Sequence, residues 1–214
     1  MTLDATFCYT RLKAHDRNYQ PVLDDVRSVA LPALAPTGIT RWGAWSGLFG
    51  IGSNEIVLMT ASAAAVDHAG ILNARLATAP GAIVEQHVLR PTVRPHDVAP
   101  LARPGLYVFR FFDVRHADVD EIARLSFDAW TTFETNVAYR AEPQGLFCQR
   151  DTRAPTGVML LCTWYDGLES WQASRTPAPA ATENFRRRHA LTSGTIAYAT
   201  RLIEWNEAPG ARIS

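Results

Sequence analysis

Slid along itself by 100 residues, the sequence meets its own pattern: Asn18 falls on Asp118, Val22 on Ile122, Val29 on Ala129 and Ala33 on Phe133. Past the next hairpin the offset becomes 103, and IVLMT at 56–60 lies over MLLCT at 159–163. Two capping positions and most of an apolar helical stripe therefore recur. Such a chain has few folds open to it, because each copy forms the same elements and leaves the same apolar face to be covered.

The second copy states the pattern most clearly, in GLYVFRFFDVRHADVDEIARLSFDAWTTFE at 105–134. Tyr107, Phe109 and Phe111 alternate with Val108, Arg110 and Phe112, the period of two that gives a strand two faces. Val119, Ile122, Leu125, Ala129 and Phe133 then recur at three and four, one stripe of a helix. Asp118 with Glu121 three residues on has the form of a capping box. The first copy opens with a strand over 7–13, placing Phe7, Tyr9 and Arg11 opposite Cys8, Thr10 and Leu12. Its first helix has Asn18 as cap, Pro21 in the first turn, and Val22, Val26, Val29 and Ala33 as its stripe. Strands over 39–46 and 55–60 flank a glycine-rich turn, a helix over 67–78 follows, and 82–90 is a strand.

The order βαββαβ is the ferredoxin-like split unit. After the proline-rich link VRPHDVAPLARPG it returns as strand 106–114, helix 119–136, strands 139–150 and 157–164, helix 167–175 and strand 195–204. Only residues 176–188 have no counterpart, and they read as a lid or a longer connection. The expected class is α+β, with tandem ferredoxin-like units at 1–95 and 105–214. Each antiparallel sheet, covered by helices on one side, would leave an aromatic face bare. The two faces can pack on each other within one chain, or each can meet another copy in a homodimer.

Lys and Arg together equal Asp and Glu at 21 each, so no net field draws in nucleic acid. No apolar run approaches the roughly 18 residues that span a bilayer, and no leader pattern opens the chain. Cys8, Cys148 and Cys162 are odd in number and lack CxxC spacing, which fits reduced thiols in the cytoplasm better than disulfides or zinc. The six histidines show no HxxxH spacing, and neither a phosphate-binding loop nor a GxSxG elbow is present, so no metal or cofactor is expected.

Among polar residues Arg110 is the sharpest, because a guanidinium between apolar strand neighbours needs either an internal acid or an anionic ligand. His87, in a strand, and His68, near a helix start, are the candidate bases. Trp45, Trp164 and Tyr198 are candidate walls of an apolar pocket, with Arg41 and Tyr139 as further contacts.

YVFRFFDV at 107–114, GAWSGLFGIGSNEIVLMT at 43–60 and HVLRPTVRP at 87–95 together resemble the NIPSNAP family of the dimeric α/β-barrel superfamily, in two copies over nearly the whole chain. Arg110 matches the arginine of that family's opening strand, whereas the first copy has Thr10 there. The resemblance implies a protein acting on a small hydrophobic or aromatic acid or ketone without a cofactor, by proton abstraction leading to oxygenation, cyclisation or C–C cleavage. A non-catalytic ligand-binding or assembly protein and a haem-handling protein remain open alternatives at this point.

Overall fold

The computed structural model describes residues 3–63, 66–76, 79–176 and 179–205, the last segment with side chains from Thr182 onward. In the first half, β1 (Thr6–Ala14), β2 (Thr40–Phe49), β3 (Glu55–Ser62) and β4 (Gly81–Arg94) pair in the order β4-β1-β3-β2. In the second, β5 (Leu106–Arg115), β6 (Ala141–Gln149), β7 (Thr156–Tyr165) and β8 (Thr192–Leu202) pair as β8-β5-β7-β6. The two sets join edge to edge, β2 to β8 and β4 to β6, and close an antiparallel barrel of eight strands. Closure leaves no exposed strand edge to pair with another chain. Of the two arrangements open to the bare sheet faces, they meet inside a single chain.

Period-two alternation decides what fills the barrel. Phe7 and Tyr9 of β1 point inward to meet Trp42, Trp45, Tyr107, Phe109, Phe111 and Phe147, so one interior core draws on both halves. Tyr9 lies 5.7 Å from Phe109 between ring centroids, and Trp45 lies 4.9 Å from Phe109 edge-on. Each buried ring contributes roughly 1.5–3 kcal/mol by leaving water, with about 0.5–1.5 kcal/mol more from each edge contact. Gly43 is required where β2 passes this core, because a Cβ there would stand 2.2 Å from the Trp45 indole.

Outward-facing residues of each sheet meet helices. The first is α1 (Gln20–Asp25), a π turn (Val26–Ala30) and α2 (Leu31–Leu34) run together. Its stripe differs from the expected one: Val22, Val26, Ala30 and Leu34 are buried, whereas Val29 is 53% exposed. The π turn is the reason, since the Leu31 N–H donates to the Val26 carbonyl five residues back and the extra residue rotates the later part of the stripe by one position. Asn18 is not the cap, which falls on Tyr19 without a side-chain bond; one residue before it, the Asn18 side-chain carbonyl oxygen instead accepts from Gln20 N at 2.9 Å.

Helix α3 (His68–Leu76) completes the first half, and α4 (Val119–Phe133) buries Val119, Ile122, Leu125, Ala129 and Phe133 as the spacing predicts. The capping box at its start does not form. A 3-10 turn leads into α4 and leaves Asp118 helical rather than extended, and its carboxylate accepts from Arg115 at 2.6 and 3.0 Å while Glu121 binds Arg124. Helix α5 (Leu168–Ala173) and helix α6 (Pro179–Ala190) precede β8, so the segment without a counterpart is largely a helix of its own, packed on α4. No helix among the described residues is long and apolar enough to cross a membrane.

Candidate functional site

The two helix–sheet layers differ in content. In the first half, Cys8, Leu12 and Leu58 pack with Val22, Val26, Ala30, Leu34 and Leu72 in one buried cluster. Thr10 is fully buried there, its hydroxyl 3.5 Å from Cys8 Sγ and 3.3 Å from Gln86 Nε2. In the second half α6 stands over α4 and β5, and a cavity of about 540 Å³ opens beneath it. Val108, Arg110 and Phe112 from β5 form its floor, Leu161, Thr163 and Tyr165 from β7 one wall, Trp130 and Phe133 from α4 another, and Phe185, Arg188 and His189 from α6 its cover.

Three cations line this cavity. Among the described residues, Arg110, Arg175 and Arg188 belong to none of the ion pairs and no acidic side chain lines the site. Arg188 is held by other means: its guanidinium lies 5.2 Å over the Phe112 ring and 4.9 Å over Phe185, with NH1 3.4 Å from Ser126 Oγ. Burial pulls the Arg188 pKa down to about 10, helped by the charge of Arg110. Burial likewise lowers that of Arg110, and Arg175 adds to the effect. Guanidinium groups kept from water without an acid are costly unless something anionic meets them.

Tyr165 supplies a different function. Burial raises its phenol, and bonding to Ser174 and Thr163 and the nearby charges of Arg110 and Arg175 only partly oppose that rise. Near neutral pH it is a protonated donor that can meet a carbonyl or enolate oxygen. His189, on the last turn of α6, is the one histidine lining the cavity, and its imidazole has no hydrogen-bond partner among the described residues.

The other residues expected from sequence lie elsewhere. His68 is fully buried in the first half, Nε2 2.9 Å from Ser62 Oγ and Nδ1 3.5 Å from Thr60 Oγ1, and burial first, then Arg150, lowers its pKa to about 4. His87 packs beside Phe111, 5.2 Å between ring centroids, and lies 3.0 Å from Glu85. Neither histidine lines the cavity with Arg110. Trp45 and Tyr198 belong to the barrel interior rather than to the cavity's walls, because their strand positions share the parity of Tyr107 and Phe109, opposite to Arg110. Trp164 shares that interior, donates from Nε1 to the Pro104 carbonyl at 2.9 Å and lies under Arg103. Arg41 stacks on Trp205 at 4.7 Å, and Tyr139 packs on Phe133 beside a second, more open depression. That depression is larger, at about 730 Å³, but it lies between ion pairs, Arg94 with Glu134 and Arg103 with Glu142, and so makes no comparable demand for a ligand.

Of the residues expected from sequence, Arg110 lines this cavity, and Arg188, Tyr165 and His189, which the sequence did not single out, line it too. A usable signal existed: Phe185 and Arg188 stand three apart in the segment that the first copy lacks, and so share one helix face.

Solved structures share this architecture over nearly the full chain. An anthrone oxidase-like protein matches with a TM-score of 0.63 at 11% identity, covering 95% of this chain and 94% of its own. A heme-binding protein from Thermus thermophilus matches with a TM-score of 0.59 at 9% identity, covering 94% and 92%. The fold is that of the dimeric α/β barrels. A ferredoxin-fold protein from Listeria monocytogenes, related to antibiotic biosynthesis monooxygenases, matches with a TM-score of 0.52 at 11% identity, covering 96% and 97%. At these identities the likeness extends to fold alone. No family model matches the chain, and no curated protein matches it by sequence.

Whether the cavity suits a haem is a question of donors. Among the described lining residues the side chains able to ligate haem iron are His189, whose imidazole has no hydrogen-bonded partner there to fix the ring, and Tyr165, whose phenol burial keeps protonated. Neither is prepared for iron.

Proposed function

We propose that this protein is an enzyme acting without a cofactor on a small hydrophobic or aromatic acid or ketone, bound in the cavity between β5, β7, α4 and α6. The observation that carries the reading is the pair Arg110 and Arg188, two guanidinium groups without carboxylate partners facing aromatic walls. Arg110 anchors the substrate's anionic group, and Phe112, Trp130 and Phe133 hold its flat apolar body. His189 takes a proton from the carbon next to the substrate's carbonyl, the electron pair moves onto the carbonyl oxygen, and Tyr165 donates a hydrogen bond to the resulting enolate. The reactive electrons then belong to the substrate, available for oxygenation, ring closure or C–C cleavage.

Two broader readings accompany this one. The matching strand orders of the halves, together with the repeat at offsets of 100 and 103, support an internal duplication of a NIPSNAP-like unit. Three buried, unbridged cysteines support a cytoplasmic setting.

Substitution of Arg110 by Gln tests the function. Aromatic acids should bind to the wild type and lose about ten- to hundredfold in affinity in the variant, the range for a hydrogen bond to a charged group. Unchanged binding of every such acid in a folded variant would overturn the proposal.

A further inference from the structure

Resting on the functional reading above, we infer that the cavity selects ligands carrying two negative charges on a flat apolar body, with Arg110 and Arg188 as separate anchors. Arg110 and Phe112 project from the same face of β5, two residues apart, which separates their Cβ atoms by about 7 Å. Arg188 reaches in from α6 and lies 5.2 Å over the Phe112 ring, the side-chain neighbour of Arg110 on that face of β5. Arg175 adds a third positive charge at the exposed rim.

A single carboxylate can satisfy one planar guanidinium through two parallel bonds. It would leave the second cation unmatched beside it. Among the described residues no acidic one lines the site to make up the difference, in contrast to the nearby depression where Glu134 and Glu142 pair with Arg94 and Arg103. Matching both cations takes either two carboxylates across a ring system or one phosphate placed between the guanidinium groups. Aromatic lining from Phe112, Phe133 and Phe185 suits the ring system. Arg188 enters from the helix that the first half lacks, so the second anchor is a specificity device added to the first.

Calorimetric titration of the full chain with four probes separates the possibilities: naphthamide, naphthoate, naphthalene dicarboxylate and naphthyl phosphate. The dicarboxylate, the phosphate ester or both should bind at least about tenfold tighter than naphthoate, and which of them does so identifies the second anionic group. Arg188→Gln should abolish that advantage, whereas Arg110→Gln should weaken every anion. Arg188→Lys keeps the charge and serves as a second variant should the glutamine protein fold poorly; it should retain part of the advantage. Dianions binding no tighter than naphthoate, with naphthoate still dependent on Arg110, would overturn the two-charge inference and leave the functional reading standing. Naphthamide binding as tightly as naphthoate, or no probe binding at all, would overturn both.

Discussion

The guanidinium of Arg188, carried by α6, lies 5.2 Å above the ring of Phe112 on β5, and this contact joins the added helix to the barrel wall. The contacts with Phe112 and Phe185 are worth about 0.5–2 kcal/mol each and the Ser126 bond about 1 kcal/mol, set against the several kcal/mol needed to take a cation fully out of water with no counter-ion. Without a counter-ion the half-buried guanidinium keeps part of that cost. Arg188→Met should raise the protein's melting temperature, by roughly 2–4 °C for each kcal/mol gained in a chain of this size. Thermal denaturation without ligand checks this, and a fall would show that stacking outweighs desolvation.

Once a substrate is in hand, His189 and Tyr165 should separate by kinetic signature. His189→Gln should lower kcat by about 10²–10⁴ with little change in KM, as for loss of a general base. Tyr165→Phe should lower kcat by roughly 10–100-fold, matching one lost hydrogen bond to developing charge. His189 is exposed on its helix, so its variant should melt with the wild type.

His68 makes acid stability predictable. Its pKa falls from 6.5 to about 4 in the folded chain, so between those values the unfolded state binds more protons. The stabilisation is complete above the unfolded value and is lost as pH falls toward the folded one, on the order of 3 kcal/mol in all. Urea denaturation across this window should show the loss, and His68→Gln should flatten the profile even if it lowers stability at neutral pH.

Trp45 should behave as a core residue alone. Trp45→Ala should cost roughly 3–5 kcal/mol, as for other large aromatic truncations. Aromatic-acid affinity at temperatures where the variant is folded should stay within about twofold, because the indole lies across the sheet from the cavity. A selective loss of binding would return Trp45 to the pocket.

Most of the barrel could be read from alternation, because strand parity is local: Tyr107 and Phe109 on one face and Val108 and Arg110 on the other follow from sequence order. Where reading failed, the cause lay in the backbone or in distant packing. The π turn at Val26–Ala30 shifts a stripe without any marker residue, and the 3-10 turn before Val119 removes the geometry that Asp118 needed to cap. The site was half legible for a similar reason. Arg110 announces itself as a charge among apolar neighbours, whereas Arg188 gains its role only when α6 folds over Phe112. Trp45, Trp164 and Tyr198 stand out in the sequence by residue type alone, and type cannot say which side of a curved sheet a ring occupies.

Thr10 and Arg110 hold equivalent positions in two layers: Thr10 is fully buried beside a packed cluster, whereas Arg110 lines a cavity. An assembly of identical subunits would have to repeat either arrangement in both layers, but a single polypeptide can let one half serve as ballast while the other specialises. Ligand stoichiometry follows from that division of labour: saturation should come at one molecule per chain.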